Sequence, residues 1–273
     1  PQNDLYRSVV AQHYDAIRKD DDFIGEVLAG LKESGLATNT IVVYFGDHGA
    51  NNLVRHKQMP TEGGLHVPFI MAGPAPHIPA SSVRDDLVNL LDLSATTLAW
   101  ARITPPDWYE GQNLFDQKLI PRSSVFAAKD RLDHTIDRVR TVRTHRYRYT
   151  RNFKTDRIFL QPQYRDSKDY VRNLREMYAD GTMSAKLTEI YFGERPAEEL
   201  YDVKNDPHCL NNLIDNPKLT ELKADLSTRL DAWMKSQGDE GAATEALAHT
   251  RKSKFKENKR PNPSLNRSSL EGR

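Results

Sequence analysis

The feature that most constrains the fold is the stretch from Ile41 to Gly49, IVVYFGDHG. An unbroken apolar run leads into a glycine, and an aspartate and a histidine follow directly. A short run of this kind is typical of a parallel strand that is covered on both faces. Apolar residues also recur with helical spacing from Tyr6 to Leu31, which predicts one long amphipathic helix that ends near Gly35. A helix followed by a buried strand indicates an α/β sheet.

The rest of the chain predicts three regions. Further strands are expected at 67–72, 124–128, 139–144, 147–150 and 198–203, and further helices at 87–100 and 219–234. We therefore predict an α/β core over residues 1–115 and a smaller α+β unit with an antiparallel sheet over residues 116–235. Few apolar residues follow position 235, so residues 236–273 are expected to form a disordered basic tail.

Charge and hydropathy argue against two classes of protein. The net charge of the 273 residues is +1, and the excess of lysine and arginine is confined to the carboxyl end, so the chain as a whole does not have the charge of a nucleic-acid binder. No apolar run approaches the roughly eighteen residues that a membrane span requires, and the start lacks the layout of a signal peptide. The single cysteine, Cys209, excludes an internal disulfide and a cysteine-rich zinc site, and we expect it to be a small packed residue.

Asp47 and His48 are the first candidates for a functional site. Functional groups in open α/β sheets gather outside the carboxyl ends of the strands, and a carboxylate oxygen and a ring nitrogen can bind the same divalent cation. Two donors make an incomplete shell, so further ligands must come from elsewhere. A bare Asp-His pair is more often a turn cap beside an ordinary packed histidine.

Lys57, with Arg55 and His56 beside it, shifts this balance toward a site. A cluster of cations opposite a metal is a common way to hold a tetrahedral oxyanion such as sulfate or phosphate. The alternative is that the RHK stretch belongs to a solvated loop.

Several motifs then occur in an order that resembles the sulfatases of the alkaline phosphatase superfamily. They are DDDFIGEVLAGLKESGLATNTIVVYFGDHG, RHK and EGGLHVPFIMAGP, followed by AAKDRLDHTIDRVRTVRTHRYRYTRNF and RPAEELYDVKNDPHCLNNL. The last two resemble the branch that includes heparan N-sulfatase-like enzymes and bacterial polysaccharide sulfatases. The resemblance covers roughly residues 6 to 234. It implies the carboxyl-terminal half of an alkaline-phosphatase-like mixed sheet flanked by helices.

The resemblance also implies a role for each matching position. Asp47 and His48 would be the late pair of metal ligands, with Ca²⁺ as the usual ion and Mg²⁺ possible. Lys57 would contact the sulfate oxygens during catalysis. The KDRLDH segment matches a loop at the rim of the active site, where a salt-bridged hairpin surface is nearly as good an interpretation. The candidates for substrate binding are Arg55, His56, Arg131, Asp133 and His134.

One motif of the family is missing from the chain. Sulfatases carry a Cys or Ser in the setting C/S-x-P-x-R, which is converted to a formylglycine nucleophile, and neither Cys209 nor Ser264 lies in such a setting. We therefore expect the amino-terminal half of a sulfatase as a partner, a sulfated carbohydrate as the substrate, and little activity from this chain alone. The resemblance implies a periplasmic, secreted or lysosomal location. The alternatives are a phosphodiesterase or phosphonate hydrolase of the same superfamily, and a non-catalytic carbohydrate-binding fragment.

Overall fold

The computed structural model describes residues 1–79, 81–132 and 135–242. These ranges contain six α-helices and six strands, joined by loops and three short 3-10 turns. The helices are α1 (Asp4–Glu33), α2 (Glu62–Leu65), α3 (Leu90–Trp100), α4 (Asp169–Ala179), α5 (Ala185–Phe192) and α6 (Thr220–Ser236). The strands are β1 (Val42–Phe45), β2 (Phe69–Ala72), β3 (Val125–Leu132), β4 (Thr135–Arg143), β5 (Tyr147–Asn152) and β6 (Glu198–Asp202).

The long amino-terminal helix was predicted correctly. The side chain of Asn3 accepts a hydrogen bond from the backbone N–H of Tyr6 and so caps the first turn of α1. The chain leaves the helix through Gly35, whose φ of +70° is a conformation that glycine adopts without steric cost. Within α1 only Val9 is buried, and the side chains of Tyr14 and Phe23 are exposed. No helix in the described ranges is both long and apolar enough to cross a membrane.

The strand that ends in Gly-Asp-His-Gly exists, but the prediction that it is a parallel, fully covered strand was wrong. β1 pairs with β2 in antiparallel register, with Phe45 opposite Phe69. Phe45 is 41% exposed and Ile70 is 60% exposed, so the pair is covered only in part. An apolar run indicates that a strand can be buried, but it does not determine the direction of its neighbour.

The predicted antiparallel sheet of the carboxyl-terminal region is confirmed. Its four strands follow the order β3-β4-β5-β6, and α6 packs across one face. Phe126 of β3 and Trp233 of α6 stack with their ring centroids 5.1 Å apart. Beneath them lies a buried apolar cluster. Its members are Val142, Tyr149, Leu200, Leu226, Leu230 and Met234.

A second apolar cluster joins α1 to the α4–α5 region and supports the loop that follows β1. Val9 comes from α1 and Val54 from that loop, and both pack with Leu160, Leu174 and Phe192. Residues far apart in the sequence therefore hold the loop in place.

The charged segment before residue 133 extends a strand. β3 continues through Lys129, Asp130 and Arg131 to Leu132, past the predicted end at residue 128. A register shift between Lys129 and Arg131 interrupts the pairing with β4. Ordered contacts also continue past residue 236, because the carboxylate of Asp239 accepts hydrogen bonds from Arg140 and Arg138. The proposed domain limits at residues 115 and 235 remain predictions, and residues 243–273 lie outside the described ranges.

Candidate metal and oxyanion site

Asp47 and His48 lie in the turn that leaves β1, as the sequence predicted. The backbone N–H of Gly46 still donates to the carbonyl of Pro68, so the ladder between the strands ends immediately before the pair. The side chain of Asp47 is 80% exposed and that of His48 is 32% exposed. The two residues therefore present a carboxylate and an imidazole at the surface of the loop.

The hydrogen bonding of His48 leaves one ring nitrogen available to a ligand. Nδ1 lies 2.8 Å from the carbonyl oxygen of Gly49. A carbonyl can only accept, so Nδ1 carries the proton in this contact and Nε2 of the neutral ring keeps its lone pair. Histidine ligands of metals usually donate their second ring N–H in this way, which fixes the tautomer and the ring orientation.

The spacing of the two donor atoms suits a shared cation. Oδ2 of Asp47 and Nε2 of His48 lie 3.5 Å apart. Neighbouring ligands at right angles around Ca²⁺, each about 2.4 Å from the ion, would be separated by about 3.4 Å. The residues present therefore fit two positions of a calcium shell. Within the ranges that the structure describes, no group of three His, Cys, Asp or Glu side chains could complete it.

Three glycines pack the Asp-His turn against the loop that carries Lys57. The backbone N–H of Gly49 donates to the carbonyl of Gly64 over 3.2 Å. A Cβ atom on Gly49 would lie 1.7 Å from the carbonyl oxygen of Gly63, and one on Gly63 would lie 2.8 Å from the ring of His56. This closeness requires glycine, because no side chain fits between the two backbones. The Asp-His turn and the RHK stretch are thereby joined through residues 63–64.

Lys57 is held in its loop by a buried arginine. The guanidinium of Arg165, which is 1% exposed, donates to the carbonyl oxygens of Asn51 at 3.0 Å and Lys57 at 3.3 Å. The Lys57 ammonium lies 5.8 Å from the centre of the Tyr164 ring, within range of a cation–π contact. No local sequence pattern indicates this role for the arginine, which lies in the 3-10 turn Tyr164–Ser167.

Arg55 and His56 face partners inside the protein. Arg55 donates to the carbonyl oxygens of His208 at 2.8 Å and Cys209 at 3.0 Å, which ties the loop to the segment after β6. Burial lowers the pKa of His56, and the nearby charges of His13 and Arg55 lower it further. A neutral His56 ring therefore packs beside Gly63.

The substrate-binding residues predicted at the rim are only partly described. Arg131 is a half-buried residue of β3, while Asp133 and His134 lie outside the described residues. The neighbouring Asp130 forms a salt bridge with Arg140 at 2.7 Å.

Cys209 is 3% exposed, which confirms the expectation of a packed residue. Burial raises the pKa of its thiol to about 11, because the charged thiolate is removed from water.

The sequence interpretation missed a buried carboxylate next to the site. Glu62 begins α2, is 8% exposed and binds Arg143 and Arg148 of the antiparallel sheet. Its only sequence sign is an acid directly before the two glycines in EGGLH, and its two arginine partners lie more than 80 positions away. Arg148, which lies in the basic stretch RTHRYRYTRNF, is itself 3% exposed.

Comparisons with known proteins identify similar sequences and a similar fold. Residues 1–103 match the Sulfatase family model. An ulvan-active sulfatase of Formosa agariphila is 32% identical over 248 residues, which are 90% of this chain and 41% of that protein. Human N-sulphoglucosamine sulphohydrolase is 24% identical over 85% of this chain and 49% of that protein.

A similar fold occurs in a protein solved in complex with its substrate D-glucosamine-2-N,6-O-disulfate. The TM-score is 0.60 at 19% identity, over 82% of this chain and 40% of that one. The chain thus spans less than half the length of each of these three proteins. The family match, the relatives and the shared fold all show that this chain is similar to sulfatases over part of their length, with a mixed α/β fold.

Proposed function

We propose that this chain forms part of the active site of a sulfatase that hydrolyses sulfate esters or N-sulfates on a sulfated polysaccharide or oligosaccharide. The observation that carries the proposal is the 3.5 Å spacing of Asp47 Oδ2 and His48 Nε2, with Nδ1 of the same ring anchored on a carbonyl. This donor pair is packed through glycines against the loop that holds Lys57.

Asp47 and His48 would hold a divalent cation, Ca²⁺ by preference and Mg²⁺ as an alternative. Ca²⁺ accepts six to eight ligands in flexible geometry, whereas Mg²⁺ requires a nearly ideal octahedron. A bound cation would offset the negative charge of the sulfate group. Two donors from this chain leave several positions for carboxylates or waters from elsewhere.

Lys57 would bind a sulfate oxygen and stabilise the charge that develops during the reaction. Its ammonium carries three donors on a flexible stem, which suits a tetrahedral oxyanion. We propose that Arg55 and His56 assist as part of the same loop, although the hydrogen bonds of Arg55 to His208 and Cys209 favour an indirect contribution. Arg131, Asp133 and His134 remain candidates for contact with the sugar.

The nucleophile would come from a segment outside these 273 residues, since no C/S-x-P-x-R setting occurs among them. We propose that this segment belongs to the amino-terminal half of the sulfatase and carries formylglycine. Partial exposure of Phe45 and Ile70 on the β1–β2 pair supports the idea, because an apolar sheet surface is normally covered. A location outside the cytoplasm, in the periplasm, a lysosome or secreted, also belongs to this proposal.

The names of the relatives guide the choice of substrate. One acts on ulvan, another is named for N-sulphoglucosamine, and the protein of similar fold binds a glucosamine that carries two sulfates. These names support a sulfated saccharide as the substrate class. The identity of the sugar and the position of its sulfate are left to experiment.

The decisive experiment uses the complete reading frame that contains this chain, produced with a formylglycine-generating enzyme. Release of inorganic sulfate from ulvan, N-sulfoglucosamine and 6-O-sulfoglucosamine would be compared with release of phosphate from matched phosphate esters and phosphonates. Sulfate release at a higher kcat/KM would support the proposal. Preference for phosphorus substrates would replace it with a phosphodiesterase or phosphonate hydrolase, and saccharide binding without turnover would indicate a carbohydrate-binding module.

A further inference from the structure

Glu62 forms the centre of a buried ionic cluster between the loop region and the antiparallel sheet. Its Oε1 atom accepts from Nε of Arg148 at 2.8 Å and from Nε of Arg143 at 3.1 Å. Its Oε2 atom lies 3.5 Å from Nδ1 of His66. The side chain of Arg148 is 4% exposed and that of Glu62 is 10% exposed, so these charges are largely removed from water.

The two arginines need this carboxylate. Arg143 on β4 and Arg148 on β5 are direct partners in the antiparallel register. Like charges placed opposite each other on neighbouring strands repel. Burial alone would raise the pKa of Glu62, but the contact with His66 and the charges of Arg148 and Arg143 outweigh it and hold the pKa well below its usual range. Glu62 therefore stays ionised and fixes the first residue of α2 against the sheet.

The residues that follow Glu62 are those that support the candidate site. Gly63 contacts both the backbone at Gly49 and the ring of His56, and the carbonyl of Gly64 accepts from the N–H of Gly49. Gly49 adjoins His48, and His56 adjoins Lys57. A displacement of α2 would therefore move both the Asp-His turn and the loop that carries Lys57, because α2 contacts each of them directly.

We infer that Glu62 is a positioning residue for the Asp47–His48 pair and the Lys57 loop, acting through Gly63 and Gly64 and held by Arg143 and Arg148. The inference rests on the proposed function only for the chemical role of the site. The contacts that connect Glu62 to the two loops all lie within this chain. Glu62 does not touch the candidate metal ligands Asp47 and His48. Its contribution is to hold the Asp-His turn and the Lys57 loop in a fixed position relative to each other.

The test is amide hydrogen exchange on the whole 273-residue chain, with Glu62→Gln compared with the unmodified protein. We expect the amide of Gly49 to exchange about tenfold faster or more in the variant, because a charged hydrogen-bond network of this kind is lost. The amide of Leu230 in α6 should keep its rate. Unchanged exchange at Gly49, or acceleration at Gly49 and Leu230 in parallel, would overturn the inference, since the second pattern reports general destabilisation.

Asp92→Asn is the matched control. Asp92 is also buried and bonded to an arginine, with Nη1 of Arg122 at 2.6 Å from Oδ2, but its contacts lie in and around α3. This variant should leave the amide of Gly49 unaffected. If Glu62→Gln does not fold, Arg143→Lys keeps the charge and removes the planar fork, and a smaller acceleration at Gly49 is expected.

A second measurement links the cluster to the proposed cation. Ca²⁺ is titrated into the complete protein that contains this chain, with and without Glu62→Gln, because the remaining ligands of the proposed shell would come from outside these 273 residues. The His48 ring resonances are followed. Glu62→Gln should weaken the apparent affinity about tenfold, as loss of a residue that orients a ligand typically does, and equal affinities would count against the positioning role. If the unmodified complete protein shows no response to Ca²⁺, the proposed metal site fails, while the exchange experiment still decides whether Glu62 positions the loops.

Discussion

Nδ1 of His48 and the carbonyl oxygen of Gly49 lie 2.8 Å apart, so the ring of His48 is held by the backbone of the next residue. The contact directs Nε2 toward the carboxylate of Asp47. A lone pair and a carboxylate oxygen 3.5 Å apart repel each other unless a cation or a proton lies between them. The turn is therefore prepared for a positive ligand.

The first prediction concerns that ligand. Asp47→Asn removes the negative charge and should weaken Ca²⁺ binding at least about tenfold, because Ca²⁺ prefers carboxylate oxygen. The affinity is measured in the complete protein that contains this chain, by titration of the His48 ring resonances. Asp22→Asn, on the exposed surface of α1, is the control and should bind Ca²⁺ as the unmodified chain does. Equal affinities in all three proteins would remove Asp47 from the site.

The second prediction concerns Lys57. Lys57→Ala in the complete enzyme should lower kcat/KM for a sulfated saccharide by about a hundredfold to a thousandfold, as expected for the loss of one charge contact to the transition state. The free energy of unfolding should change by only about 1 kcal/mol, since the cation–π contact with the Tyr164 ring that the side chain loses is worth about that much. Lys204→Ala, at an exposed turn, should retain full activity. A fully active Lys57→Ala enzyme would exclude the proposed role.

The third prediction is a pH dependence that arises from His56. Burial and neighbouring cations lower the pKa of this histidine in the folded protein, so the unfolded chain binds a proton more readily. The associated stability is fully present above the unfolded pKa of about 6.5 and declines as the pH falls from there through the folded pKa.

The pH effect is isolated by comparison with His56→Gln, which does not titrate. Urea unfolding is measured at several pH values between 7.5 and 5.5 for both proteins. The stability of the unmodified protein relative to the variant should decrease as the pH falls. Taking this difference cancels the opposite effect of His66, whose pKa its contact with Glu62 raises. A difference that stays constant or grows toward low pH would contradict the prediction.

The fourth prediction concerns the buried carboxylate of Asp137. It accepts from Lys129 at 2.7 Å and from Arg195 at 2.7 Å, and it is 1% exposed. Asp137→Asn leaves two buried cations without their counter-charge, so the free energy of unfolding should fall by about 3 to 5 kcal/mol.

Urea denaturation measures this loss. Asp156→Asn is the control, because the side chain of Asp156 is 70% exposed where it pairs with Arg157, and its loss should cost less than about 1 kcal/mol. Similar losses in both variants would show that the buried Asp137 network does not contribute the expected free energy of unfolding.

The sequence predicted the parts of the molecule that depend on local patterns. α1 follows from helical spacing, and the turn with Asp47 and His48 follows from an apolar run that ends in Gly-Asp-His-Gly. The direction of β1 was not predictable from that run, because the same apolar residues suit a parallel or an antiparallel neighbour. The extension of β3 was hidden by charge, since Lys129 looks like a surface residue until its buried partner Asp137 is known.

The supporting residues of the site were also beyond sequence reasoning. Glu62 meets Arg148 across 86 positions, and Arg165 meets the carbonyl of Lys57 across 108 positions. Neither pair has a local motif, because any acid and any base can pair once the fold brings them together. Only the coordinates reveal which charges are neutralised internally and which remain available to a substrate.

The approach of Gly49 to the carbonyl oxygen of Gly63 has a consequence for how such a site is lost during evolution. There is no room for even one methyl group, so a point mutation that turns the Gly49 codon into one for alanine would disable the turn while sparing every acid and base around it. Homologues that retain Asp, His and Lys but replace this glycine would then be inactive look-alikes. A genome survey that scored only the charged positions would count them as enzymes.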